Sequence, residues 1–495
     1  MVRGLPRIED EWHDEREQAS DMAVNPNDYE HTTRTVSTRI GELAYVGGYP
    51  TDDTIRRAYD QLDLQRAIQV YLEFIPFMSQ QALFDSQGTL LRDNRDVGVF
   101  DHQAQGKVEW VGLTFNTESI YCGANLDVEQ GPVVVETPPN ILGVIDDGWM
   151  RYITDLGNAG PDRGQGGSFL LAHDDYQGEL PDGHFVFRTP TYKNWIMARA
   201  FVGDTGEGES AMAWYRENFR IYPLADGPDP DAAYVPFSQH PLDCTHARDV
   251  RFYERLAQAL QHEPAGAFTP YQLGLLKAIG IEQGKAFEPD ERMRALLAEG
   301  IEIGDAIAKT NAYASRLDGV RAYPDRKYEY LFLGGRHDFM AGDALWLDAR
   351  LLFHYEAIVV TPAMAIEMVG VGSQYLACYR DANDDFLMGQ HSYRLRLPPD
   401  IPAAEFWSVT AYHPETRSLL ANGEDKPARN SYDDLRWNDD GSVDVYFGPT
   451  PPDGNEQNWI KTLPEEGWSV FIRLYGPLQS YFDQTWKPDD IVRTD

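Results

Sequence analysis

Short runs of alternating apolar and polar residues dominate two parts of the chain and predict β-strands there. Between Val97 and Val202 the runs are V-E-W-V-G-L-T-F, G-P-V-V-V-E-T-P-P, S-F-L-L-A-H, H-F-V-F-R-T-P and W-I-M-A-R-A-F-V, separated by turn-forming residues. Several short strands divided by turns are typical of a β-sandwich. The same kind of pattern returns from Ser373 onward. A second β-rich domain is therefore expected in the C-terminal part.

Apolar residues at helical spacing predict helices before and between these β-rich parts. One helix is expected to begin at Thr51, whose side chain can cap it, and to be kinked or ended by Pro76. In the middle of the chain, helical spacing covers Val250 to Leu260 and Tyr271 to Ile279. A further helix is expected near Pro289, because proline is favoured in a first helical turn.

These patterns divide the chain into four parts. Residues 1–40 form a polar N-terminal arm, and residues 41–225 form a helix followed by a β-sandwich domain. Residues 226–345 form a mainly helical connecting region, and residues 346–495 form the C-terminal β-sandwich domain. Within the last part, the stretch 345–367 fits a helix and a strand equally. The predicted fold class is α+β, mainly β.

The charge of the chain narrows its range of partners. Its 495 residues carry 43 Lys and Arg against 79 Asp and Glu, a formal net charge of -36. Such a surface repels phosphate backbones and anionic membranes, so neither nucleic acid nor membrane is predicted as a partner. A high-salt environment and an ordinary acidic enzyme explain this charge equally.

Cysteine usage and the N-terminal residues bear on the compartment. Cys122, Cys244 and Cys378 are odd in number and widely spaced, which predicts neither a disulfide framework nor a structural zinc site. The first residues contain no apolar segment of the kind found in signal peptides, and no long apolar run occurs. A cytoplasmic location is expected.

The predicted strand around Val470 contains one charged residue, Arg473. Phe471, Arg473 and Tyr475 share one face of this strand, and three aliphatic residues share the other, because side chains alternate. Both faces are largely apolar, so the strand is expected to be covered on both sides. A buried guanidinium needs a partner. Two interpretations stay open: a structural pair with a core carboxylate or loop carbonyls, or a clamp for a ligand that stacks on aromatic rings.

Searches for cofactor motifs give no match. G-I-E-Q-G-K-A (residues 280–286) has the wrong spacing for a phosphate loop and no Ser or Thr after Lys285. Gly370-Val371-Gly372 lacks the third glycine of a dinucleotide fingerprint, and no G-x-S-x-G turn occurs, so no cofactor is predicted. A divalent metal remains possible. His354 and Glu356 would share one face of a strand, and His337, Asp338 and His391 could add ligands, although the spacing matches no named site.

Several motifs resemble a known combination of families. In the C-terminal part these are F-W-S-V-T-A-Y, D-G-S-V-D-V-Y-F, N-W, R-L-Y-G-P and T-W-K-P; in the N-terminal part the motif is N-T-E-S-I-Y. The chain resembles bacterial and archaeal proteins that pair domain-of-unknown-function family 1254 with family 1214. Glu118 and Ser119 stand where family members carry Asp and Thr. The resemblance implies two jelly-roll-like antiparallel β-sandwich domains with a helical insertion between them, and homo-oligomers. It implies no particular reaction.

The leading functional hypothesis is an enzyme-like protein that binds a small or glycan-like ligand in a cleft between the two β-sandwiches. Arg473 would bind or polarise an anionic or carbonyl group, and Tyr412 or Tyr121 would donate a proton. The expected ligand-binding residues are Asn116, Asn458 and Trp459. Cofactor-free or metal-assisted hydrolysis or elimination suits these groups. The alternative is a non-catalytic binding or oligomeric assembly protein, with its aromatic clusters at subunit interfaces.

Overall fold

A computed structural model describes residues 33–102, 110–243 and 245–495, without the side chains of Trp110, Phe201, Val202 and Asp204. The chain divides into two compact units, residues 1–65 and residues 66–495. Most of the predicted polar arm, Cys244 and residues 103–109 lie outside the described residues. The finer domain boundaries at 40, 225 and 345 stay predictions.

The first unit contains a small antiparallel sheet. Its strands are β1 (Arg34–Thr38), β2 (Gly41–Val46) and β3 (Tyr49–Pro50). Strand β1 lies within the predicted arm, and all of its residues are exposed. The next element is helix α1 (Asp52–Gly88), which begins in this unit and ends in the second. The Thr51 hydroxyl accepts a hydrogen bond from the Thr54 amide at 3.4 Å, as a cap at this position requires.

Helix α1 continues for twelve residues beyond Pro76, so the expectation that this proline could end the helix is wrong. The residues around Pro76 explain the continuation. Phe74, Ile75, Phe77 and Met78 are buried in the core of the second unit. Burying large apolar side chains stabilises by about 1.5–3 kcal/mol each, which offsets the backbone hydrogen bond that proline removes.

The described N-terminal β-rich part contains two large sheets, one further sheet of only two short strands, and two α-helices. Its elements are β4 (Val97–Phe100), β5 (Trp110–Val111), β6 (Ser119–Asp127), β7 (Val133–Thr137), β8 (Leu142–Asp147), β9 (Tyr152–Gly157), β10 (Gly167–His173), β11 (Phe185–Thr189), β12 (Lys193–Phe201), α2 (Val202–Thr205), α3 (Glu209–Asn218), β13 (Arg220–Pro223), β14 (Tyr234–Pro236) and β15 (Leu242–Asp243). The larger sheet has the order β14-β4-β6-β12-β8-β9, and the smaller one β11-β10-β7-β13. Their apolar faces share a core that includes Ile120, Val135, Leu171 and Ile196.

The middle of the chain is helical, as the spacing of apolar residues predicts. Its helices are α4 (Arg251–Leu260), α5 (Pro270–Ala278) and α6 (Glu291–Tyr313). Side chains of α4 and α6 pack with the buried part of α1 in one core. The stretch 345–367 is also largely helical, with α7 (Leu347–Glu356) and α8 (Pro362–Ala365) after the short hairpin β16 (Met340–Ala341) and β17 (Ala344–Leu345).

The C-terminal part contains a second pair of sheets. Its elements are β18 (Ser373–Cys378), β19 (Tyr393–Leu397), β20 (Ala403–Tyr412), β21 (Ala428–Asn430), β22 (Val443–Gly448), β23 (Trp459–Lys461), β24 (Ser469–Pro477), α9 (Gln479–Phe482) and β25 (Val492–Arg493). One sheet has the order β18-β24-β20-β21, the other β23-β22-β19-β25. All nine residues of β24 are buried, which confirms that this strand is covered on both faces.

The α+β class is confirmed, but helix and strand are nearly balanced, at about 27% and 29% of residues. Long helices α1 and α6 account for much of the helical share. Most strand pairs are antiparallel, whereas β10–β11, β4–β14, β5–β15 and β22–β23 run parallel. No helix in the described part of the chain is long and apolar enough to cross a membrane. Cys122 and Cys378 are free thiols buried in different cores.

Gly300 and Gly274 allow a matched test of the helix packing. A Cβ atom at Gly300 in α6 would lie 2.7 Å from the Cβ of Ala67 in α1, whereas one at Gly274 in α5 would meet no atom within 4 Å. We expect Gly300→Ala to lower the free energy of unfolding by about 1–3 kcal/mol through overpacking. Gly274→Ala should raise it by up to about 1 kcal/mol, because alanine favours a helix. Denaturant unfolding measures both, and a stabilising Gly300→Ala would contradict the close approach of α1 and α6.

Candidate functional site

Two sheets from different parts of the chain face a common core. The outer face of the six-stranded sheet contributes Val144 and Trp195, and the sheet containing β24 contributes Tyr412 and Phe471. The opposite faces of both sheets are occupied by their own cores, which hold Ile196 on one side and Ile472 on the other. Because side chains alternate along a strand, odd-numbered residues of β12 and β24 point into the common core.

A cavity of about 110 Å³ lies in this common core. A buried water needs roughly 10–15 Å³ of such space, so the cavity can hold several waters or a small organic molecule. Its wall is mostly apolar. The polar residues in the wall are Thr114, Asn116, Tyr121, Asp155, Arg199, Thr361, Ser373, Tyr375, Arg473 and Tyr475.

Arg473 lies on β24 and is only 3% exposed. Its Nη1 donates to the Tyr412 hydroxyl at 2.5 Å, and its Nη2 donates to the Thr114 carbonyl at 2.6 Å. Its guanidinium lies over the rings of Tyr375 and Phe471, at 5.6 and 5.5 Å from their centroids. It forms no ion pair with a carboxylate among the described residues. The structural interpretation, which allows a core carboxylate or loop carbonyls, fits the contact with the Thr114 carbonyl. The buried Glu118 carboxylate also interacts with Arg473 electrostatically, without forming an ion pair.

Arg199 is a second guanidinium in the wall that the sequence patterns did not single out. It lies on β12, is half-buried, and stacks over the Tyr475 ring at 4.7 Å. The other contacts of Tyr475 are a stacked ring, Phe406, at 4.0 Å, and a hydrogen bond from Asn116 Nδ2 at 2.6 Å. Arg199 has no ion-pair partner within the described ranges. The two sheets thus bring two buried or half-buried cations to one cavity.

The two predicted proton donors occupy different positions. Tyr121 lies in the cavity wall beside Phe115, and burial raises its pKa to about 12, so its phenol is protonated at neutral pH. Tyr412 is not part of the wall. Its hydroxyl donates to the Phe115 carbonyl at 2.6 Å and accepts from Arg473. Tyr412 therefore positions Arg473, and Tyr121 is the phenol that a ligand can reach.

Of the predicted ligand-binding residues, Asn116 lies in the cavity wall, but Asn458 and Trp459 do not. Asn458 accepts from the Arg436 amide at 2.8 Å and donates to the carbonyls of Arg436 and Asp444. Trp459 begins β23 and donates from Nε1 to the Gly448 carbonyl at 3.0 Å. Both side chains hold neighbouring loops and strands together, away from Arg473.

The predicted metal ligands are not brought together. The stretch 345–367, which fits a helix and a strand equally by sequence, is helical at His354 and Glu356, so these two residues do not share a strand face. They lie on α7, which is buried on several sides and therefore lacks a clear helical period. His354 packs against Phe339, while Glu356 accepts from Tyr379 at 2.6 Å and burial raises its pKa to about 8.

The remaining metal candidates have other contacts. His337 lies against the Tyr152 ring, His391 lies 3.5 Å from Asp495, and Asp338 pairs with Arg336. No three His, Cys, Asp or Glu side chains in the described ranges converge as a metal site would require.

Residues 357–361, between α7 and α8, form a connecting segment that closes one side of the cavity. Two buried carboxyl groups hold this segment. Asp146 accepts from the Val360 amide at 2.9 Å, and Asp155 accepts from the Thr361 hydroxyl at 2.5 Å. Burial raises the pKa of both, that of Asp155 to about 6. Sequence reasoning missed Asp155 because it lies in the short run Y-I-T-D-L-G, which has no recognisable motif.

Val359, in the same segment, has a left-handed backbone with φ of 71° and lies in the cavity wall. This conformation is unfavourable for a β-branched residue. Such outliers persist when the surrounding contacts enforce them, and they concentrate at functional sites. The two carboxyl contacts directly after Val359, to the Val360 amide and to the Thr361 hydroxyl, supply that enforcement.

Comparison with known proteins agrees with the resemblance found in the motifs. Residues 99–223 match the family described as protein of unknown function DUF1254, and residues 372–479 match the family described as protein of unknown function DUF1214. The chain thus combines a DUF1254 region with a DUF1214 region. Arg199 belongs to the first region and Arg473 to the second, and the connecting segment lies between the two. No curated protein matches the chain.

Solved structures of uncharacterised proteins resemble the chain. The VPA0106 protein from Vibrio parahaemolyticus has 19% identity and a TM-score of 0.51, covering 88% of this chain and 100% of its own. An uncharacterised protein from Burkholderia cenocepacia has 15% identity and a TM-score of 0.39, covering 90% of this chain and 91% of its own. The first match supports a shared fold and carries no information on function.

The strain at Val359 can be tested by comparing two substitutions. We expect Val359→Gly to unfold with a free energy about 1 kcal/mol higher than Val359→Ala, because alanine keeps the left-handed penalty that glycine lacks. At Val360, which is buried and has no left-handed backbone, the order should reverse. Thermal or urea unfolding of the four variants gives the comparison. The same order at both positions would argue against strain at Val359.

Proposed function

We propose that the protein binds a small organic anion in the cavity and acts on it as a hydrolase or lyase. The observation that carries this proposal is the pair of guanidinium groups, Arg199 and Arg473, in the wall of one cavity. Neither forms an ion pair with a described carboxylate. Buried cations usually pair with an anion, because removing a charge from water is costly. A ligand carboxylate or developing oxyanion would supply the missing partner.

The geometry of Arg473 favours a ligand over a purely structural role. A guanidinium has five N–H donors, and the described acceptors of Arg473, the Tyr412 hydroxyl and the Thr114 carbonyl, use two of them. These two contacts hold the guanidinium in place and leave donors for a ligand. Such pre-organisation strengthens binding because the side chain loses little freedom when the ligand arrives.

Because the whole chain is strongly negative, anion binding at this positive site depends on short-range contacts with the ligand. With a net charge of -36, long-range forces do not attract an anion to the surface. Affinity must then come from short-range, charge-assisted hydrogen bonds, which are worth about 1.5–3 kcal/mol each. The cavity volume favours a small acid over an extended glycan chain.

Tyr121 is the proposed proton donor. In hydrolysis, a water oxygen bonds to the carbon that the leaving oxygen departs from; in elimination, a neighbouring C–H proton passes to water and its electron pair forms the double bond. In both reactions the electron pair of the broken bond stays on the leaving oxygen, and the Tyr121 phenol would deliver a proton to that oxygen. Arg473 would stabilise negative charge that develops on the ligand. The proposal covers both a cofactor-free reaction and one assisted by a divalent metal that enters with the substrate. Asn116 would hold the Tyr475 ring in place in the wall by donating a hydrogen bond to its hydroxyl.

We also propose, from the resemblance, that each sheet pair is a jelly-roll-like β-sandwich and that the protein is a homo-oligomer. The apolar core shared by each sheet pair supports the first part of this proposal.

Binding of acetate and its neutral isostere acetamide tests the proposed site. We expect the wild-type protein to bind acetate in preference to acetamide, and Arg473→Ala to weaken acetate binding by about tenfold or more through loss of a charge-assisted contact. Calorimetry measures affinity, and circular dichroism checks that the variant is folded. Arg396→Ala is the control, because Arg396 pairs with Asp440 at the surface and should leave affinity unchanged.

Arg199→Ala provides a second test if Arg473→Ala fails to fold. Arg199 is half-buried and forms no described ion pair, so its removal should preserve the fold and still weaken acetate binding. Equal affinity for acetate and acetamide in the wild-type protein, or no binding of either, would contradict the proposal and favour the assembly alternative.

A further inference from the structure

We propose that the cavity takes up its anion together with one proton, and that Asp155 carries this proton in the bound state. The inference rests on the proposed anion binding and adds a second recognition element to the same site. Protonated Asp155 would donate a hydrogen bond to the ligand, and ionised Asp155 would repel it. The site would then select acids that present a hydrogen-bond acceptor beside their negative charge.

The position of Asp155 supports this role. It lies on β9 in the cavity wall and is only 5% exposed. One carboxyl oxygen of Asp155 accepts a hydrogen bond from the Thr361 hydroxyl at 2.5 Å, and the other accepts one from the Tyr152 hydroxyl at 3.3 Å. Asp155 thus meets neutral donors, and no cation pairs with it among the residues that the structure describes.

The charged groups around Asp155 do not compensate an ionised carboxylate. Arg199 and Arg473 line the same cavity, but neither forms a described ion pair with Asp155 or shifts its pKa. On the neighbouring strand β8, Asp146 is a buried carboxyl group, and Asp147 forms an ion pair with Arg151 at 2.6 Å. On the side of Tyr152, His337 packs edge-on against the phenol ring, and burial lowers the pKa of His337 below its usual value, so its ring is mostly neutral at pH 7. The connecting segment contributes only the hydroxyl of Thr361. An ionised Asp155 would therefore add negative charge to a wall that must receive an anion.

The titration behaviour of Asp155 agrees with this geometry. Burial raises its pKa to about 6, with hydrogen bonds from Thr361 and Tyr152 acting in the opposite direction. An anion bound nearby would raise the pKa further, because like charges disfavour ionisation. The pKa is then higher in the bound state than in the free state. By linkage, binding takes up a proton, and affinity falls as the pH rises above the free-state pKa.

Formate is a suitable probe because it is small and stays ionised from pH 5.5 to 7.5. We expect the affinity of the full-length wild-type protein for formate to fall by up to about tenfold per pH unit above pH 6. Calorimetry at pH 7 in two buffers of different ionisation enthalpy should report an uptake approaching one proton per formate. Asp155→Asn keeps a hydrogen-bond donor and removes the titration, so its affinity should be nearly independent of pH.

Glu263→Gln is the matched control. Glu263 is also buried, and burial raises its pKa to about 7, but it accepts from the amides of Tyr192 and Lys193 and lies outside the cavity wall. Its substitution should leave the pH profile of formate binding unchanged. Thr361→Val serves as a second variant at the site. It removes the strongest donor to ionised Asp155, so the fall in affinity should begin at higher pH.

The outcomes separate this inference from the proposed function. Absence of formate binding at every pH would overturn both. Binding by the wild-type protein with no proton uptake would overturn the role of Asp155 and leave the arginine site intact. A pH dependence that persists in Asp155→Asn, or that disappears in Glu263→Gln, would also overturn it. If Asp155→Asn does not fold, the Thr361→Val profile decides: an unshifted profile overturns the inference.

Discussion

The burial of strand β24 on both faces is the constraint on which the rest of the site depends. A strand covered on one face can direct its charged residues into water, whereas every residue of β24 is buried. Its inner residues, such as Ile472, complete the core between the C-terminal sheets. Its outer residues must then be accommodated by another part of the chain. Arg473 meets this requirement through a phenol from β20 and a carbonyl near β6, so its partners come from both β-rich parts.

The cavity follows from the way the two sheets meet. Each sheet has one face committed to its own core, so the remaining faces pack on each other through large aromatic and aliphatic side chains. Arginine, tyrosine and asparagine side chains interrupt this packing and are held by mutual hydrogen bonds and ring contacts. The connecting segment closes one side, with its backbone fixed by carboxyl groups from β8 and β9. Buried polar groups of this kind are costly unless satisfied, which explains why so many of them bond to one another.

Local patterns in the sequence are enough to predict the strands and helices, but not which of them contact one another. The alternation around Val470 places Arg473 and Tyr475 on one face correctly, because a strand's period depends on neighbours in the chain. Asn458 and Trp459 were grouped with Arg473 by proximity in sequence, yet they bond within the other C-terminal sheet. The stretch around His354 fits a helix and a strand equally by sequence, because burial on several sides hides the helical period of α7. Arg199 and Asp155 were missed because their significance comes from long-range pairing between sheets, which a single sequence does not encode locally.

The division of the cavity between two regions has a consequence for the history of the chain. Arg199 and Asp155 come from the DUF1254 region, Arg473 from the DUF1214 region, and Val359 from the segment between them. Recombination that replaced one region with a distant relative could preserve each internal core and still mismatch the shared wall. Selection that depends on the cavity would therefore act on the two regions as one inherited unit, and compensating substitutions should arise in pairs across the junction.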